Sequence, residues 1–190
     1  CILIAQLLFS IQDMAIKFLS PKYPLHQIIF VESSIAFLLT SLVFVPLEGG
    51  FKNLITKRIG IHIIRGFGFV IVDICFFTAM VSMPLSDVVT IFFVAPLFIS
   101  LLSTIILREK LITSNWIALI IGFLGVITMF RPGISEFNPI SFLPLIAAFS
   151  YAVVQILARK LGEKEKASTM TFYVLLHLVF VSSLSGFFLV

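Results

Sequence analysis

Seven apolar runs, separated by short polar breaks, make up almost all of this chain. They cover residues 1–19, 27–45, 63–83, 86–107, 115–130, 141–158 and 170–190. An α-helix rises about 1.5 Å per residue and needs roughly 20 residues to cross about 30 Å of hydrocarbon. Each run is therefore predicted to be a spanning helix. The breaks carry turn residues: Ser20-Pro21 and Pro24, Pro46 with Gly49-Gly50, Pro84, Arg131-Pro132-Gly133, and Asn138-Pro139. The longest break, 46–62, is basic and is expected to lie on the membrane surface.

The clearest unit runs from Met83 to Gly133. Two apolar stretches, 88–107 and 117–130, flank a short polar connection, which makes them antiparallel neighbours in a membrane hairpin. Trp116 suits the interface. Pro96 lies in mid-run and cannot donate to the Phe92 carbonyl, so a kink is expected there. Ser86 is the expected N-cap, with Asp87 beside the positive end of the helix dipole. Ala118, Gly122 and Gly125 share one face, which is expected to let another helix approach closely.

Composition excludes a water-soluble globule. The chain is 60% hydrophobic and 12% charged, against about a quarter charged in soluble domains, and its mean hydropathy is +1.19. Net charge is +4, but the cations sit in short connections, a pattern of membrane orientation rather than nucleic-acid binding. Ten of them (Lys52, Lys57, Arg58, Arg65, Arg108, Lys110, Arg159, Lys160, Lys164, Lys166) flank the even-numbered connections. Three, Lys17, Lys22 and Arg131, flank the odd ones. The even connections and the N-terminus are thus expected in the cytoplasm. Cys1 and Cys75 show no CxxC or metal spacing and read as core thiols. The chain begins and ends inside apolar runs, without a signal peptide, and is expected to be a fragment cut at both ends.

Charges at bilayer depth need a reason. Asp13 and Lys17 lie one turn apart and can pair within the first helix; the pair either serves a substrate or lets Lys17 snorkel to the outer interface. Gln6 and Gln12 add hydrogen-bonding capacity. Glu32 sits about one turn into the second run, either near the interface or facing a cavity. Asp73 is the deepest isolated carboxylate, in FVIVDICFF. Burial disfavours its charged form, so it either carries a proton or is a neutral group bonded to a neighbouring helix. His177 is the only ionisable group in the seventh run, and a lone buried His is more often a packing residue than a ligand. Tyr151 and Gln155 share a face of the sixth helix and can offer neutral polar contacts. No GxSxG, HExxH or Walker loop is present, so no catalytic residue, metal site or cofactor is expected.

One ordered set of short motifs goes further. Pro84-Leu85-Ser86-Asp87, Val94-Ala95-Pro96-Leu97-Phe98, Arg108-Glu109-Lys110-Leu111, Trp116, Gly122-Phe123-Leu124-Gly125-Val126 and Arg131-Pro132-Gly133 resemble the end of an EamA-type repeat of the drug/metabolite transporter superfamily. Asp13, Lys17 and Tyr23-Pro24 with Gln27-Ile28-Ile29-Phe30 resemble its opening helices. The resemblance covers nearly the whole chain. It implies an all-α polytopic transmembrane bundle of ten helices in two inverted five-helix repeats, of which seven are visible here. Residues 1–133 would be the first repeat, and 134–190 the first two helices of the second. Many relatives carry Arg where this chain has Glu32, so an anion-binding role does not transfer; Glu32 favours a cationic or zwitterionic substrate.

The resemblance implies a secondary active transporter of a small polar metabolite, working by alternating access and proton-coupled, in the bacterial inner membrane. The Asp13–Lys17 opening resembles family members that import riboflavin or S-adenosylmethionine. The candidate substrate and proton residues are Asp73, Glu32, Asp13, Lys17, Tyr151, Gln155 and His177, with Pro96 as the helix kink. Expected partners are the lipid bilayer and a small molecule (metabolite, amino acid, vitamin or drug-like compound). A homodimer stays open, and nucleic acid is not expected. A membrane-embedded enzyme and a non-transporting sensor or partner protein are the alternatives.

Overall fold

A computed structural model describes residues 2–109, 113–130 and 139–188. Among these residues the chain is helical, with no strand. Seven rods follow one another: α1 (Ile2–Leu19), α2 (Leu25–Leu47), α3 (Ile59–Ser82), α4 (Leu85–Ile106), α5 (Thr113–Phe130), α6 (Phe142–Gly162) and α7 (Ala167–Phe188). Five of them, α2, α3, α4, α6 and α7, contain stretches long and apolar enough to cross a membrane. The Arg131-Pro132-Gly133 turn, Lys110 and Cys1 lie outside the described residues.

The helix α3 is the axis of the bundle. It packs along α6 and α7, while α2 lies on α7 and the second half of α4 on α6. Small residues make these approaches close. Ala147, Ala148 and Ala152 of α6 are fully buried. A Cβ added at Gly68 of α3 would stand 2.5 Å from Val154 Cγ2 of α6. Without a hydrophobic drive between helices in lipid, such close contact is what holds a bundle together. By contrast α5 leaves Ile117, Ile120, Ile121 and Leu124 more than half exposed. Its expected small face is used only in part. Gly122 meets Leu97 of α4, but nothing lies within 4 Å of a Cβ at Gly125, and Ala118 is exposed.

Prolines shape two rods. Pro46 has no N–H for the Leu42 carbonyl, and the backbone before it widens into a π-turn over Thr40–Phe44. Pro96 likewise leaves the Phe92 carbonyl unserved. There α4 divides into Leu85–Phe92 and Ala95–Ile106, with Pro96 in the first turn of the second piece. Pro96 itself is exposed. The start of α4 differs from expectation: Pro84, in extended conformation, occupies the N-cap position, and the Ser86 hydroxyl donates to Asp87 Oδ1 at 3.0 Å instead of capping. A proline that cannot continue the preceding backbone ladder fixes the boundary there.

The third helix begins four residues earlier than the hydrophobic pattern suggests. The break between α2 and α3 holds a single 3-10 turn, Phe51–Leu54, reached through Gly49 and Gly50 at φ of 116° and 86°. Such angles strain any residue with a Cβ. Helix α3 then starts at Ile59 and takes His62 fully inside.

Candidate functional site

Three carboxylates from three helices gather on one side of α3. Asp73 is half-buried in the middle of α3 and lines a cavity of about 240 Å³ with Leu25, His26 and Ile29 of α2 and Leu178 and Ser182 of α7. Glu32 stands two helical turns along α2 from Leu25, near enough for its charge to act on Asp73. Asp13 of α1 acts on Glu32 in the same way. Gln12 donates from Nε2 to Glu32 Oε1 at 2.5 Å. Among the described residues no Lys or Arg pairs with any of the three. Three acids have one amide donor between them, and two of them, Glu32 and Asp73, lie in helices long and apolar enough to cross a membrane, where such groups are candidates for substrate, ion or proton paths.

Lys17 does not pair with Asp13. Its ammonium donates to the carbonyl of Met80 and, at 3.0 Å, to that of Met83. These carbonyls end α3, where the last turn has no intrahelical donors and the dipole is negative. A cation there satisfies the helix end, and Asp13, one turn back along α1, is left without a cationic partner among the described residues. The expectation of an Asp13–Lys17 pair fails because the α3 terminus, far away in sequence, offers a better partner.

The remaining candidates divide. Tyr151 packs against Phe92 at 5.5 Å between ring centroids and against Phe69 at 6.4 Å, one turn before Asp73. Gln155 is half-buried one turn further along α6. His177 stands about two turns of α3 away from Asp73. Its Nδ1 lies 2.7 Å from the Tyr173 carbonyl, and its ring fills the space over Gly66, where a Cβ would come within 2.3 Å. It is thus a packing residue in its local geometry. Pro96 faces outward, away from the cavity. The side chain of Gln6 is outside the described set.

A second polar cluster, at the N-terminal end of α3, left no signal in the sequence. His62 Nε2 and Glu165 Oε2 are 2.5 Å apart, and Thr56 Oγ1 donates to the other oxygen of Glu165. Arg65, only 6% exposed, lies one turn above His62, within reach of Glu165's charge, and donates to the Met170 carbonyl at 3.4 Å. Nearby, Glu48 Oε2 accepts from Ser168 Oγ at 2.6 Å and Ser168 N at 3.0 Å, so the end of α2 caps the first turn of α7. Those bonds, the hydroxyl's first, hold the Glu48 carboxyl below its usual range. Loop residues of this kind carry no periodicity.

A bundle of apolar, membrane-length helices with one carboxylate, Asp73, in a cavity among them is the class that fold and site define. The chain belongs to the EamA-like transporter family, whose signature matches residues 1–131, and it is accordingly an integral, multi-pass membrane protein. It is 28% identical over 166 residues to an S-adenosylmethionine uptake transporter of Rickettsia prowazekii, covering 86% of this chain and 55% of that protein. It is 29% identical over 177 residues to a riboflavin transporter of Vibrio cholerae, covering 92% and 59%. It is 23% identical over 173 residues to the pseudopaline exporter CntI of Pseudomonas aeruginosa, covering 90% and 60%. The chain thus spans a little over half the length of these relatives, all of which are named as transporters. No solved structure matches it.

Proposed function

We propose that the protein is a secondary active transporter that moves a small polar metabolite by alternating access, driven by protons. The observation that carries this is Asp73 of α3 lining the cavity, with Glu32 of α2 within electrostatic reach of it and Asp13 of α1 within reach of Glu32. Acids so placed favour a cationic or zwitterionic cargo. Of the cargoes named for the relatives, S-adenosylmethionine carries a fixed sulfonium charge that suits such acids. Riboflavin is neutral and has no need of it. A proton carried inward on a carboxylate gains about 2.3 kcal/mol per 100 mV of membrane potential.

In this reading residues 1–133 form one five-helix repeat and 134–190 begin a second. The N-terminus and the loops holding Lys57 and Lys164 face the cytoplasm of a bacterial inner membrane, as the distribution of Lys and Arg favours. Cysteines placed at Lys57 and at Tyr23 then label from opposite sides of intact cells; labelling of both from outside removes the arrangement.

The decisive experiment is uptake by the whole transporter in vesicles under an imposed pH gradient. Asp73→Asn keeps shape and hydrogen bonding but cannot release a proton. We expect it to insert normally, to lose pH-driven accumulation and to retain at least part of its substrate exchange. Accumulation with unchanged pH dependence would remove Asp73 as the coupling group, with Glu32 and then Asp13 next to be tested.

A further inference from the structure

At the end of α3 opposite Lys17 the two neighbouring loops enclose a concavity of about 370 Å³, within the range of small-ligand pockets, about 300–1,000 Å³. The α2–α3 connection contributes Lys52, Lys57 and Arg58, and the α6–α7 connection contributes Lys164 and Lys166. One acid, Glu165, lines it too, but its two oxygens are taken by Thr56 and His62. Lys166 donates to the Glu48 carbonyl. Among the described residues the side chains of Lys52, Lys57, Arg58 and Lys164 have no hydrogen bond or ion pair. An excess of cations at a membrane face orients a protein wherever the cations lie. Here they come from two loops and converge on one hollow, where they repel one another until an anion enters.

The rim of the hollow gives the anion a second property. Ile55, which lines it, is 86% exposed, and Phe51 in the preceding turn is 58% exposed. A soluble anion needs no apolar rim, whereas an amphiphile whose charged head enters the hollow covers that rim with its chains. We propose that this hollow binds the phosphate headgroup of an anionic phospholipid, which thereby clamps the α2–α3 loop to the α6–α7 loop. Basic pockets between membrane helices are suited to such heads.

The test is native mass spectrometry of the whole protein in detergent, titrated with phosphatidylglycerol, phosphatidylcholine or inorganic phosphate. Phosphatidylglycerol should be retained in preference to phosphatidylcholine. The triple variant Lys52→Gln, Lys57→Gln, Arg58→Gln should bind it about a hundredfold more weakly, each charge near a membrane surface counting for roughly a factor of five. Lys160→Gln, an exposed cation on α6 that does not line the hollow, should change nothing. If the triple variant does not fold, Lys164→Gln alone should show a loss of about fivefold. Equal retention of phosphatidylcholine, an unchanged affinity in the charge variants, or displacement of the lipid by millimolar inorganic phosphate overturns the proposal, the last by replacing the lipid with a free anion.

Discussion

The middle of α3 and its N-terminal end are both polar, and they are built in opposite ways. At the end, most groups are matched: Glu165 with His62 and Thr56, Glu48 with Ser168, the Tyr173 hydroxyl with the Leu54 carbonyl at 2.8 Å, and Thr169 Oγ1 with the Asn53 carbonyl at 3.2 Å, while His62 Nδ1 and Arg65 Nε stay buried without a hydrogen bond. In the middle, Glu32 has one amide donor, and neither Asp73 nor Asp13 has a hydrogen bond among the described residues. Buried polar groups that are satisfied hold a structure together. Acids left unsatisfied cost stability, and they are tolerated where something that comes and goes will satisfy them. The contrast sets a fastened end of α3 against a middle whose acids have few partners.

Mutation should break that contrast if it is wrong. Glu165→Ala removes the partner of fully buried His62 and the counter-charge of Arg65, and should cost about 3 kcal/mol, read as a lowered melting temperature in detergent. Asp73→Asn should cost nothing by the same measurement, or stabilise, since it removes a charge from the span. Equal losses for the two would erase the distinction.

A smaller effect is expected at the packing contact between them. Gly66→Ala puts a Cβ 2.3 Å from His177 Cγ, and overpacking of this kind costs about 1–3 kcal/mol. His177→Ala in the same chain should restore much of the loss, because the two residues share one space. Additive losses would show that His177 does more than fill the space over Gly66.

The smallest effect concerns the cap on α7. Because the folded carboxyl of Glu48 lies below its usual range, the cap adds stability above the ordinary Glu value of 4.5. That stability is lost as pH falls through the lowered folded value. Glu48→Gln should therefore melt slightly below the parent at neutral pH, and the two curves should converge in acid. A gap that does not close at low pH would mean the carboxylate's charge is not what caps the helix.

The helices were legible because runs near 20 apolar residues have few other uses, and the three acids because charge inside such a run stands out. Asp73 is visible in FVIVDICFF without any structure. What was not legible depends on distance along the chain. Lys17 reads as Asp13's partner because they share a helix face, yet it ends on carbonyls 63 and 66 residues away. His62 reads as loop because the apolar run starts after it, and only Glu165, 103 residues on, explains its burial. Gly122 and Gly125 look alike in sequence; which of them meets a neighbour depends on how α5 is rotated against α4.

The bond from Glu48 to Ser168 spans 120 residues, and a growing chain makes its partners in a fixed order. At roughly 5–20 residues per second, Glu48 has left the ribosome on the order of ten seconds before the first turn of α7 exists. The acceptor at the edge of α2 is therefore made first, and α2, whose main packing partner is α7, completes its contacts only when α7 emerges. Translation order thus leaves the α2–α3 half of the chain to find its main packing partners, α6 and α7, only after they are made.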